Sequence, residues 1–177
     1  MEHISPVEQI SYQLDYTTLK KDLLDGTISP KEARDKLITA DQSTGDRKAA
    51  LSNLDFLEDS DIKNFINNQQ EDIKKSYYQL LSLTELHVGQ TNLFEGKNEA
   101  GLQFWKQALA HEYEANAFPE NIGYKRGTIA YLEKDIGTLE DSIAQLDSKT
   151  RNCQILMNML KGLKERGYPD YFSDYRK

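Results

Sequence analysis

Gly89-Gln90-Thr91-Asn92-Leu93-Phe94-Glu95-Gly96-Lys97-Asn98-Glu99-Ala100-Gly101-Leu102-Gln103-Phe104-Trp105-Lys106-Gln107-Ala108 is the stretch on which the fold turns. Gly96-Lys97-Asn98 is a turn signal. Helical spacing runs into it through Ile73, Tyr77, Leu80, Thr84 and Val88, and out of it through Leu102, Trp105 and Leu109. Helices joined by so short a turn lie antiparallel. Gly89 and Gly101 stand one on each helix. Two helices cross closely only where small side chains let the backbones approach.

Toward the N-terminus the same punctuation repeats. Ser5-Pro6 signals a helix start before Val7, Ile10 and Leu14, a helix expected to run on to Leu23 and Leu24 and end at Gly26. Ser29-Pro30 with Glu32 has the pattern of a capping box, followed by the stripe Ala33, Leu37, Ile38. Thr44-Gly45-Asp46 reads as a loop. Ala50, Leu51, Leu54 and Leu57 mark a third helix, and Asp59-Ser60-Asp61 caps a fourth. Asn67-Asn68-Gln69-Gln70 interrupts the long helical run between Ile62 and Val88. Toward the C-terminus, Phe118-Pro119 breaks the chain. Ile129 and Leu132 precede a tight turn at Lys134-Asp135, and Ile136, Leu139, Ile143 and Leu146 follow it. A last helix through Cys153, Leu156, Met157, Leu160 and Leu163 stops at Gly167. The aromatic stretch from Gly167 to Lys177 does not read as helix. It is expected to fold back over the open end of the stack, or to serve as a linear motif for a partner. These signals predict eight or nine helices.

The spacing Gly89, Leu93, Gly96, Gly101-Leu102, Trp105, Ala108 resembles a tetratricopeptide repeat, over about residues 82–115. A degenerate copy, over about 120–148, appears at a shift of 38 residues. There Gly127 matches Gly89, Tyr131 matches Leu93 and Lys134 replaces the turn glycine. Leu139, Ile143 and Leu146 take the slots of Gly101, Trp105 and Ala108. The resemblance covers roughly Leu83 to Leu146 and implies stacked hairpins whose first helices form a concave, peptide-binding face. It places Leu83, Leu86, Gln90, Leu93 and Phe94 on that face from the first copy, and Asn121, Tyr124, Thr128, Tyr131 and Leu132 from the second. The implied partner-binding set is therefore Leu86, Gln90, Leu93, Asn121, Tyr124, Thr128 and Tyr131. Alternatively, the preceding hairpin buries the Leu and Phe positions. The family's clamp for a terminal carboxylate needs Lys and Asn where Leu86 and Gln90 stand, so that activity is not implied.

Composition agrees with a helical chain. In 177 residues Leu occurs 21 times and Val only twice, which argues against a sheet protein. Leu, Ile, Val and Phe make up 23% of the chain, so the core must be thin or elongated. The formal charge of −7 argues against non-specific binding to nucleic acid or to anionic membranes. A single cysteine fits a reducing compartment. The sequence has no secretory-signal pattern and no run long enough to span a bilayer, so a cytoplasmic protein is expected.

Catalytic signatures are missing. His111-Glu112-Tyr113-Glu114 lacks the second histidine of a zincin helix, and no Glu-x-x-His pair suggests a carboxylate-bridged metal site. No phosphate loop or nucleophile elbow is present. His3 lies near the chain end. His87 lies near an apolar face, where a satisfied or partly exposed histidine is expected rather than a ligand; Cys153 sits on an apolar stripe, where a core role is expected, and acidic pairs such as Glu71-Asp72 read as solvated faces. No metal and no cofactor are expected.

The sequence therefore predicts one all-α domain over 1–177, a stack of antiparallel helical hairpins or, alternatively, an irregular bundle. Its parts are N-terminal hairpins over 6–70, repeat-like hairpins over 71–148, and a capping helix with an aromatic tail over 149–177. The expected function is a non-enzymatic module that binds a protein or peptide segment. The alternative is an acidic, immunity-type inhibitor of a basic partner, whose binding would be steeply salt-dependent.

Overall fold

The computed structural model describes residues 14–43 and 49–176. Among these residues ten α-helices follow one another: α1 (Tyr16–Leu24), α2 (Pro30–Ser43), α3 (Ala49–Glu58), α4 (Ser60–Asn67), α5 (Glu71–Phe94), α6 (Asn98–Glu114), α7 (Pro119–Glu133), α8 (Ile136–Ala144), α9 (Arg151–Arg166) and α10 (Tyr171–Tyr175). The fold is all-α, built of packed antiparallel helices. Among the described residues no helix is long and apolar enough to cross a membrane.

Local chemistry explains most boundaries. The backbone N–H of Ser29 donates to Glu32 Oε2 at 2.8 Å, and that of Glu32 donates to Ser29 Oγ at 3.2 Å. This is the reciprocal capping box, and it starts α2. Asp59, Asp135 and Thr150 cap α4, α8 and α9 through their side chains. The Asn67–Gln70 stretch separates α4 from α5, as expected. Gly167, at φ +76°, ends α9 in the left-handed conformation that needs no Cβ.

Two expectations are corrected. Leu14 and Asp15 are not helical, so no continuous helix runs from Ser5-Pro6 to Leu24. Asp15 instead accepts the backbone N–H groups of Thr17 and Thr18 at 3.1 Å, and this cap starts the helix afresh at Tyr16. The Ser5-Pro6 signal and the Thr44-Gly45-Asp46 loop lie outside the described residues. The aromatic tail contains a helix after all, because Asp170 caps it through the backbone N–H and hydroxyl of Ser173.

Two hydrophobic cores share the long helix α5. Leu80, Leu81 and Val88 join residues of α1–α4 in the first. Leu86 and Leu93 join α6–α10 in the second, around the fully buried Trp105, Tyr131, Leu139, Leu156 and Met159. The α5–α6 crossing is as close as its glycines foretell. A Cβ on Gly89 would come within 2.9 Å of Trp105 Cδ1, and one on Gly101 within 2.5 Å of Leu93 Cγ. In the next hairpin Lys134 takes the left-handed turn position at φ +63°, where the preceding hairpin has Gly96 at +76°. The small residue opposite Gly127, however, is Ser142, with its Cβ at 3.1 Å. Leu139, expected in that slot, is instead fully buried in the core.

Candidate functional site

A cleft of about 440 Å³ opens between α2, α5, α7 and α9. Helix α5 contributes Leu83, Leu86 and Gln90, and α7 contributes Asn121, Tyr124 and Lys125. Arg34 comes from α2, Arg151 and Ile155 from α9, and Tyr175 from α10. Phe118, just ahead of α7, is 73% exposed, and Leu83 is 38% exposed. These two are large apolar side chains left in water at the mouth of a concave surface, an arrangement that marks binding sites more often than bare surface.

Four of the seven sequence-derived residues line this cleft: Leu86, Gln90, Asn121 and Tyr124. The other three are enclosed. Leu93 packs over Gly101. Thr128 turns its hydroxyl to the Tyr124 carbonyl at 3.1 Å. Tyr131 is fully buried and donates to Asp174 Oδ2 at 2.7 Å.

The cleft has a polar floor. Lys125 Nζ lies 2.6 Å from Glu112 Oε2, and both residues are buried. Ser82 Oγ lies 2.6 Å from the same oxygen and can donate to it. Asn121 Nδ2 donates to Glu112 Oε1 at 3.1 Å. Burial pushes the Lys125 ammonium below its ordinary pKa, against the opposing pull of Glu112. Burial alone would raise Glu112, but Lys125, Ser82 and Asn121 together hold it below the usual carboxylate value. Gln90 Oε1 is buried without a hydrogen-bond partner, and so is Arg34 Nε.

Helix α10 packs on α9 and α5, and its Tyr175 lines the cleft. The Tyr171 ring lies 5.5 Å from Phe94, 6.4 Å from Trp105 and 5.4 Å from Tyr175 between centroids. Asp174 sits over Gly162, where any Cβ would overlap its carboxylate, and pairs with Arg166 as well as Tyr131. The tail folds back onto α9 and α5.

The remaining chemistry-bearing side chains serve packing. His87 Nδ1 lies 2.5 Å from Asp41 Oδ2 and ties α5 to α2. His111 Nδ1 lies 2.7 Å from Glu85 Oε2 and ties α6 to α5. Burial raises the Cys153 thiol pKa, the opposite of what a nucleophile requires. Among the described residues no group of three His, Cys, Asp or Glu side chains could hold a metal ion.

Sequence reasoning did not reach Glu112, Ser82, Arg34 or Arg151. Lys125 offered one signal. It sits mid-helix among Gly123, Tyr124, Gly127, Thr128 and Ala130, all of them buried, and a lysine in so small and apolar a stretch has little water to reach. Neither a family model, nor a curated protein, nor a solved structure matches this chain.

Proposed function

We propose that the chain is a non-enzymatic interaction module whose α5–α8 region stacks like tetratricopeptide hairpins and binds a protein segment in the cleft. The observation that carries this reading is the cleft itself. It gathers Leu86, Gln90, Asn121 and Tyr124 from two helices and adds the exposed Leu83 and Phe118 at its mouth. Apolar area supplies the driving force for association, and amide groups match a peptide backbone.

The test is affinity capture from native cells with the full chain and a Leu83→Ala, Phe118→Ala variant. Both side chains are exposed enough to be cut back without opening the core. A partner retained by the unchanged chain and lost by the variant supports a cleft-binding module. A partner set indifferent to the variant, or none at all, overturns it.

A further inference from the structure

The charges around the cleft run against the balance of the whole chain. The chain carries a formal −7, yet the charged side chains lining the cleft are Arg34, Lys125, Arg151 and a single carboxylate, Glu112. Lys125 and Glu112 neutralise each other. Arg34 and Arg151 remain, and among the described residues neither has an ion-pair partner. Arg151 is also the first residue of α9, whose first turn holds no acidic side chain. The positive end of the helix dipole and the guanidinium therefore add rather than cancel.

Two buried polar atoms on this cleft lack partners: Arg34 Nε, a donor, and Gln90 Oε1, an acceptor. A peptide answers both, since a carboxylate accepts and a backbone amide donates.

Resting on the module reading above, we propose that the cleft selects an acidic segment of a partner protein. An Asp or Glu side chain of the segment meets Arg34 and Arg151, an adjoining aromatic or aliphatic side chain covers Leu83 and Phe118, and a backbone amide donates to Gln90. Guanidinium groups suit this task because they present several donors to one carboxylate.

The test pans the full chain against a displayed library of random short peptides. The best binder is then measured against the unchanged chain and against Arg34→Gln, Arg151→Gln and Arg34→Lys, Arg151→Lys double variants, with thermal melts verifying that each is folded. Enriched sequences are expected to pair an acidic residue with an aromatic one. The Gln variant should bind about tenfold more weakly, the Lys variant should keep most of the affinity, and raising salt from about 0.05 to about 0.3 M should weaken binding several-fold. A peptide whose own acid is replaced by its amide should lose as much as the Gln variant does. Enrichment of neutral or basic peptides that still need Leu83 and Phe118 would overturn the acidic preference and leave the module standing. Equal affinity in both Arg variants and the unchanged chain would do the same. Enrichment of nothing, or of peptides indifferent to Leu83 and Phe118, would remove both readings together. If the Gln variant does not fold, the acid-to-amide peptide measured on the unchanged chain decides the outcome.

Discussion

Lys125 and Glu112 meet at 2.6 Å with neither side chain more than 5% exposed, across the junction of α6 and α7. Such a pair is nearly neutral when present and costly when halved. Lys125→Met strands a carboxylate and is expected to lower stability by about 3–5 kcal/mol. Adding Glu112→Leu should recover much of that loss. Urea unfolding of the two single variants and the double variant measures the coupling, and additive losses would contradict the picture.

Crowding at Gly89 gives a second expectation. Alanine favours helix over glycine by about 1 kcal/mol, but a Cβ there would press on Trp105 and on the Gly101 carbonyl at 3.2 Å. Gly89→Ala should therefore destabilise, by about 1–3 kcal/mol. Gly137→Ala on α8, whose nearest neighbour is Asp135 Oδ1 at 3.7 Å, should stabilise by up to about 1 kcal/mol. Opposite signs in thermal melts are the required result.

Asp174 is the anchor of the last helix. Asp174→Ala leaves Arg166 without its carboxylate and Tyr131 with a buried hydroxyl, a loss of about 2 kcal/mol. That loss falls on a short terminal element, so it should appear as local opening. Limited proteolysis between Gly167 and Tyr171 is expected to speed up about tenfold while the rest of the chain stays resistant. Unchanged cleavage would show that the aromatic contacts alone hold α10.

His111 and Glu85 make stability depend on pH. The hydrogen bond that His111 donates to Glu85 raises the His111 pKa against the effect of burial, and Glu58 and Glu114 raise it further. Burial raises Glu85, although His111 pulls it down. Each folded pKa lies above its free value. The stability each group contributes is thus complete at acid pH and is lost as pH climbs through the folded value. The melting temperature should fall between about pH 6 and about pH 8. The isosteric Glu85→Gln, His111→Gln variant should flatten that slope by about 2–4 °C, the size expected for ~1 kcal/mol in a chain of this length.

How far the sequence can be read depends on how local the cause is. Capping by Ser29 and Glu32 acts over three residues, and the Gly89–Gly101 crossing acts across one turn, so both are visible in spacing. Lys134 copies the left-handed turn of Gly96 despite its Cβ, and the aligned position alone pointed to that. The first helix starts later than the Ser5-Pro6 signal predicts because a nearer cap, Asp15, opens it at Tyr16. Ser142 escaped notice because the alignment placed the small residue at Leu139. Glu112 and Lys125 sit on different helices, and a charged residue in a helix usually reads as solvated. Only its small and apolar neighbours on α7 betray the lysine. Arg34 reaches the cleft from α2, far from any repeat pattern, so no spacing rule could have joined it to Arg151. The cleft's positive lining is a product of the tertiary fold alone.

Tyr175 lines the cleft and Arg176 lies over the Phe172 ring, 4.1 Å from its centroid. Whatever is joined beyond this point, whether a purification handle, a fluorescent reporter or a downstream domain, leaves the molecule at the rim of the proposed binding surface. A handle fused there would act as a tethered competitor at high effective concentration, whereas one attached on the exposed face of α8 would leave the cleft open.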